Sequence, residues 1–74
     1  MPEYPVASGA EIIAALEQLG FRKVRQRGSH VVMQRGSTGC IVPAHREVRR
    51  GTLGNIVRQS GVAPDDLIAA LRGR

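Results

Sequence analysis

Short segments separated by glycines fill the middle of the chain, and this pattern constrains the fold more than any other feature. Three segments of strand length, residues 22–27, 29–35 and 40–43, are separated by turn positions at Gly28 and Gly36–Gly39. Such runs with turn residues between them are typical of antiparallel strands joined by hairpins. Pro43 has no N–H to donate, so it ends the third strand or places it at a sheet edge.

A helical pattern precedes these strands. Ser8 and Glu11 have the spacing of a capping box, in which each side chain bonds a free backbone N–H at a helix start. Apolar residues then recur at helical intervals until Gly20, a residue typical of helix ends. We predict a helix over residues 9–19.

A second helical pattern, Arg49–Ser60, follows the strands, with Thr52 as its candidate cap. A short last helix begins after Val62, where Pro64 suits the first helical turn. The predicted order is α-β-β-β-α plus a short C-terminal helix. We expect one α+β domain over residues 1–74, with helices packed on one face of a three-stranded antiparallel sheet.

Strand alternation assigns the side chains of the sheet to two faces. If the turn places Arg35 opposite Cys40, His30 lies opposite His45. The face toward the helices then carries Val31, Met33, Cys40 and Val42, and the open face carries His30, Val32, Gln34 and Ile41. In the first strand we expect Val24 to point toward the core, so that Lys23, Arg25 and Arg27 join His30 on the open face.

The charge distribution favours a polyanionic partner. Lys and Arg number 11 against 6 Asp and Glu, for a net charge of +5, and no acidic residue lies between Gln18 and Arg46. A surface of one sign attracts phosphates without sequence-specific contacts. The alternative interpretation is a generically basic surface with no such partner.

Several classes of site are disfavoured. The single cysteine, Cys40, rules out an internal disulfide, and it is expected to be too buried to act as a nucleophile. A zinc site from Cys40, His30 and His45 has too few ligands, and Cys40 is expected on the other face. The sheet region has no carboxylate to hold Mg²⁺, so we expect neither a metal nor a cofactor.

The location and stability of the chain follow from its length and hydropathy. No apolar stretch is long enough to span a membrane, and the start Met1–Pro5 lacks the features of a signal peptide, which predicts a cytoplasmic protein.

A domain of 74 residues has a small core, so a stable partner protein would add to its stability.

A histidine among cations on an open sheet face suits the cleavage of RNA by its own 2′-hydroxyl. Histidine can take or deliver a proton at neutral pH, and arginine or lysine can hold the phosphate. His30 is the candidate acid or base, with His45 as a second proton-transfer group. The residues alone favour a plainer interpretation of both, because a lone histidine at a strand end, such as His30, is more often a solvated polar residue, and His45 is more often a loop residue than a second catalyst.

Four short motifs in this order also resemble one protein family. They are Leu19-Gly20-Phe21, Arg25–His30 with its Gly28-Ser29-His30, Val42-Pro43-Ala44-His45, and Gly51-Thr52-Leu53. The sequence resembles the HicA-type mRNA interferase toxins from about Ser8 to Leu71. The resemblance implies a fold like a double-stranded-RNA-binding domain and cleavage of mRNA, with His30 as the catalytic residue. It also implies a HicB-type antitoxin as the partner that covers the site.

Three functions remain open at this point. The first is an endoribonuclease toxin of a type II toxin–antitoxin system, in which Lys23, Arg25, Arg27 and Ser29 bind phosphate and Gly28 shapes the turn. The second is a non-catalytic RNA-binding module of the same fold, which would contact RNA through its cations alone. The third is a protein-interaction subunit whose open face binds an acidic partner.

Overall fold

The computed structural model describes residues 3–73 and has the predicted order of elements. The helices are α1 (Gly9–Gln18), α2 (Arg50–Ser60) and α3 (Pro64–Arg72), and the strands are β1 (Arg22–Arg27), β2 (His30–Arg35) and β3 (Thr38–Pro43). The strands form an antiparallel sheet in the order β1-β2-β3, which confirms the α+β class. The likeness to a double-stranded-RNA-binding domain stays a prediction. Met1, Pro2 and Arg74 lie outside the described residues. The prediction about a signal peptide at Met1–Pro5 and the predicted domain range of residues 1–74 both include some of them.

The helix ends follow local rules, with one exception. The capping box is present, since Ser8 N–H donates to Glu11 Oε1 over 2.8 Å and Glu11 N–H donates to Ser8 Oγ over 3.1 Å. Pro64 begins α3, as predicted. The prediction that Thr52 caps α2 is wrong, because Arg49 occupies the cap position and Thr52 lies inside the helix. The segment before α2 is instead tied down by a 2.8 Å bond from Val48 N–H to Ala7 O.

The register between β2 and β3 differs from the predicted one by two residues. Arg35 pairs with Thr38 rather than with Cys40, because the turn contains only Gly36 and Ser37. Gly36 has a φ of +60°, which the first position of a tight type II′ hairpin requires. A shift of two residues leaves each side chain on its predicted face. The four residues predicted to face the helices, Val31, Met33, Cys40 and Val42, are all at most 3% exposed.

The shift changes which residue lies beside His30. His30 pairs with Pro43 at the end of β3, so the predicted pairing of His30 with His45 is wrong. His45 lies beyond the strand in the connection to α2. Its carbonyl accepts a 2.8 Å hydrogen bond from Gly9 N–H, which fixes this connection against the start of α1.

A bulge interrupts the pairing of β1 with β2. Lys23 pairs with Met33 and Arg25 pairs with Val32, so Val24 is the extra residue between them. The prediction that Val24 points into the core is wrong, since it is 41% exposed. An inserted residue reverses the alternation on one side of it. Lys23 therefore shares the helix-side face with Met33, whereas Arg25 shares the open face with Val32.

A single apolar cluster holds the helices to the sheet. α2 packs along β3, and α1 packs on α3 and on the underside of the sheet. The cluster includes Ile12, Leu16, Met33, Leu53, Ile56 and Leu67, each at most 1% exposed. With the helices on one side, the opposite face of the sheet, which carries His30, stays accessible to solvent.

Candidate functional site

A shallow depression on the open sheet face contains His30 and two arginines. Arg25, Arg27, His30, Val32 and Ile41 line this space of about 300 Å³, which we call the cationic depression. The register brings them together, because Arg27 pairs with His30, Arg25 with Val32, and Val32 with Ile41. Cross-strand partners share a face of the sheet and lie side by side.

His30 is exposed but held on a rigid backbone. It is the first residue of β2 and lies directly after the tight turn Gly28-Ser29, where Gly28 has a φ of +57°. β1 pairs on one side of His30 and β3 on the other. The turn is fixed as well, since Ala44 N–H donates to the Ser29 carbonyl over 2.6 Å. Backbone pairing on both sides therefore fixes the point on the sheet from which the imidazole projects.

The charge of the cationic depression is not neutralised locally. None of the five residues that line it is acidic. Two guanidinium groups without a carboxylate beside them favour a bound anion, and arginine can bond two phosphate oxygens at once. The depression can therefore hold a phosphate beside an imidazole.

Lys23 does not belong to this group. Because of the bulge, it lies on the helix-side face, where its Nζ donates a 3.0 Å hydrogen bond to Gln26 Oε1. It lines a groove between α1 and β1 of about 440 Å³, together with His45 and Arg46. The expectation that Lys23 lies beside Arg25 and Arg27 is wrong.

His45 also lies apart from His30. It borders the groove beside α1 and a second hollow near Glu47 and Thr52, and neither of these spaces is lined by His30. Two histidines that act on one phosphodiester must both reach it. The geometry thus favours His30 over His45 as the group beside a bound phosphate.

A second depression, which could not be anticipated from the sequence, adjoins His30 on the side of α2. His30, Ile41 and Pro43 line it from the sheet, and Thr52, Asn55, Ile56 and Gln59 line it from the helix, around about 210 Å³. We call it the amide depression. The polar residues recur at helical spacing beside the apolar stripe of α2. That spacing is visible in the sequence, but it does not indicate which strand the residues face.

Other features of the described chain lie away from His30. A larger cavity of about 620 Å³, lined partly by Tyr4, Gly54 and Arg58, contains neither histidine. Burial raises the pKa of the Cys40 thiol to about 11, which makes it a poor nucleophile. Residues 3–73 contain no cluster of three or more metal-ligating side chains. No helix within the same range has the length and apolar character needed to cross a bilayer.

Comparison with protein families gives a match over most of the chain. Residues 9–62 match the model of a family described as the HicA toxin of bacterial toxin–antitoxin systems. The match includes the three strands, both histidines and α2. No curated protein matches the chain at a significant level.

Proposed function

Because the chain belongs to the family of HicA toxins of bacterial toxin–antitoxin systems, we propose that it is an endoribonuclease that cleaves mRNA with His30 as its general acid or base. The observation that carries this proposal is the pairing of Arg27 with His30 in a depression without carboxylates. It combines a proton-transfer group with a phosphate-binding group on one accessible surface.

The proposed reaction uses the RNA's own nucleophile. The 2′-hydroxyl attacks the adjacent phosphorus, and the bond from phosphorus to the 5′-oxygen of the next nucleotide breaks. His30 takes the proton from the 2′-hydroxyl, and water protonates the leaving 5′-oxygen, so that a 2′,3′-cyclic phosphate and a 5′-hydroxyl result. The hydroxide that remains takes the proton back from His30. Arg25 and Arg27 hold the phosphate and stabilise the charge that develops on its oxygens.

The turn residues have supporting roles in this proposal. Ser29 is exposed next to His30, where its hydroxyl can donate to a phosphate oxygen. Gly28 allows the tight turn that sets His30 opposite Arg27. Lys23 and His45 have no assigned part at the reacting phosphate, since both line the groove on the other side of the sheet.

A toxin of a toxin–antitoxin system has an antitoxin partner. We propose that this partner is a HicB-type protein and that it covers the open sheet face, including His30. An acidic antitoxin surface would complement Arg25 and Arg27 and would exclude RNA from them. mRNA as the substrate implies that the protein acts in the cytoplasm.

The test is cleavage of single-stranded RNA by the wild-type chain, His30→Ala and His45→Ala, each with and without EDTA. We expect His30→Ala to lose cleavage by at least about 100-fold, the lower range for a general acid or base. We expect His45→Ala to retain cleavage and EDTA to have no effect. The folding of each variant is checked by circular dichroism.

Two results would replace this proposal with another function. If the wild-type chain binds RNA without cleaving it, the protein is an RNA-binding module. If it neither binds nor cleaves RNA but binds an antitoxin through Arg25 and Arg27, the open face is a protein-interaction surface. Cleavage that persists in His30→Ala would show that another residue carries the chemistry.

A further inference from the structure

We propose that the amide depression binds the base of a nucleotide next to the scissile phosphate and that Asn55 helps to select guanine at this position. This inference rests on the proposed ribonuclease function and adds a base-recognition site to it. His30 lies between the two depressions, since it lines both of them. A phosphate held by Arg25 and Arg27 would therefore place a neighbouring nucleotide over β3 and α2.

The walls of the amide depression suit a flat ring with a polar edge. Ile41 and Pro43 provide apolar surface from β3, and Ile41 is 49% exposed even though it is a large apolar residue. α2 lies on the other side, with the exposed side chains of Asn55 and Gln59 one helical turn apart. Apolar contact favours the face of a base, and amide groups can bond its edge.

The hydrogen bonds already present use the oxygens of these two amides and leave their NH₂ groups without partners. Gln59 Oε1 accepts from the backbone N–H of Ile41 over 3.2 Å, and Asn55 Oδ1 accepts from Arg58 Nη2. Within residues 3–73, neither amide NH₂ group has an acceptor. Each side-chain oxygen already accepts one hydrogen bond, whereas both NH₂ groups are available, so a ligand with acceptors satisfies these amides best.

A pair of donors selects a base edge that carries acceptors. Guanine presents two adjacent acceptors, O6 and N7, whereas adenine presents a donor, N6–H₂, in place of O6. Adenine would therefore place its donor against a donor and leave both without a partner. Sequence-specific proteins read RNA mostly through unpaired bases, whose edges are accessible. Of the two purines, guanine in a single strand is thus the expected ligand.

The Gln59 amide is held in place by the edge of the sheet. β3 is an edge strand, and the Ile41 N–H that points away from the sheet is bonded by Gln59 rather than by another strand. This bond fixes the orientation of Gln59 and joins α2 to the strand beside His30. Substitution of Gln59 would remove this bond as well as a donor, so Asn55 is the better position for a test.

The experiment is digestion of a randomised single-stranded RNA library, followed by sequencing of the new ends. The proteins compared are the wild-type chain, Asn55→Ala, Asn55→Asp and, as a matched control, Gln18→Ala, which removes an exposed amide at the far end of α1. The readout is the preference for guanine over adenine at each position beside the cut, which is independent of the total rate.

We expect the wild type to prefer guanine at one position beside the cut. Asn55→Ala should reduce this preference about tenfold. A tenfold change corresponds to about 1.4 kcal/mol, which is within the range for the loss of a base-edge contact. Asn55→Asp replaces a donor with an acceptor and should shift the preference toward adenine. Gln18→Ala should keep the wild-type preference.

Different results separate this inference from the proposed function. Cleavage without preference for guanine, or an unchanged preference in both Asn55 variants, overturns the inference and leaves the ribonuclease function intact. An unchanged preference together with weaker antitoxin binding would show that the amide depression is part of a protein interface instead. If the wild-type chain cleaves no RNA, the proposed function fails and the inference fails with it.

Discussion

Arg35 lies over the ring of Phe21, with its guanidinium carbon 4.7 Å from the ring centroid. Its Nη1 also donates a 2.7 Å hydrogen bond to the carbonyl of Leu19. Leu19 ends α1 and Phe21 precedes β1, so this one side chain connects the end of β2 to the turn between α1 and β1. The Phe21 ring is itself part of the apolar core.

Removal of this side chain should destabilise the fold. We expect Arg35→Ala to lower the free energy of unfolding by about 1–2 kcal/mol, because the substitution removes both a cation–π interaction and a hydrogen bond. Urea denaturation measures the change. Arg46→Ala is the matched control, since Arg46 is exposed in a loop and its side chain makes no hydrogen bond to the described residues. Equal effects of the two substitutions would contradict a structural role for Arg35.

RNA affinity should depend on which face of the sheet carries each cation. We expect Arg25→Gln and Arg27→Gln to weaken RNA binding and to reduce the slope of log affinity against log salt by about 0.7 for each phosphate that the variant no longer neutralises. Lys23→Gln removes one charge from the same strand, but on the other face, and should leave that slope nearly unchanged. Fluorescence anisotropy at several salt concentrations gives the slopes. A Lys23 effect as large as that of Arg25 would argue against a role for the open face in binding.

The start of α1 should not tolerate a side chain at Gly9. A Cβ at this position would lie 2.1 Å from the Pro43 carbonyl oxygen, so the start of α1 and the end of β3 would have to move apart. We expect Gly9→Ala to destabilise the fold by about 1–3 kcal/mol, the usual effect of overpacking. Gly51→Ala is the control, because a Cβ there meets nothing within 4 Å. It should be neutral or stabilising by up to about 1 kcal/mol, since alanine favours the helix. Thermal denaturation of both variants tests this contrast.

The Cys40 thiol should react slowly in the native protein. Burial raises its pKa from the usual 9.0 to about 11, so the native thiol stays protonated until the pH rises toward 11. At pH 8 the thiolate fraction should be about 100-fold lower than in the unfolded chain. Reaction with a thiol reagent should thus be slow in buffer, rise with pH, and become fast in denaturant. Rapid labelling of the native protein at pH 8 would show that the thiol is accessible.

The elements and the faces of the sheet could be predicted because they depend on local patterns. The capping box of Ser8 and Glu11 fixes the start of α1 within a few residues. Alternation with a period of two assigned Met33 and Cys40 to the core although the predicted register was wrong. An error of two residues moves the partners along the strand without moving any side chain to the other face.

The parts of the site that depend on tertiary structure could not be predicted. Nothing in the residues around Val24 marks a bulge, because a β-branched residue is equally typical of a regular strand. The predicted position of Lys23 on the open face was wrong for this reason. Asn55 and Gln59 were not identified either, because the angle at which α2 packs on β3 decides what they face.

The bulge at Val24 also bears on how copies of this chain behave toward one another. β1 is an edge of the sheet, and all six of its residues are exposed. An unpaired strand edge can template the addition of a strand from another molecule, which leads to aggregation. The bulge interrupts the flat edge that such an addition needs, and it distributes the cations of β1 over both faces of the strand. A second copy would meet both the irregular backbone and like charges, so the feature that sets Lys23 apart from the site also opposes edge-to-edge self-association.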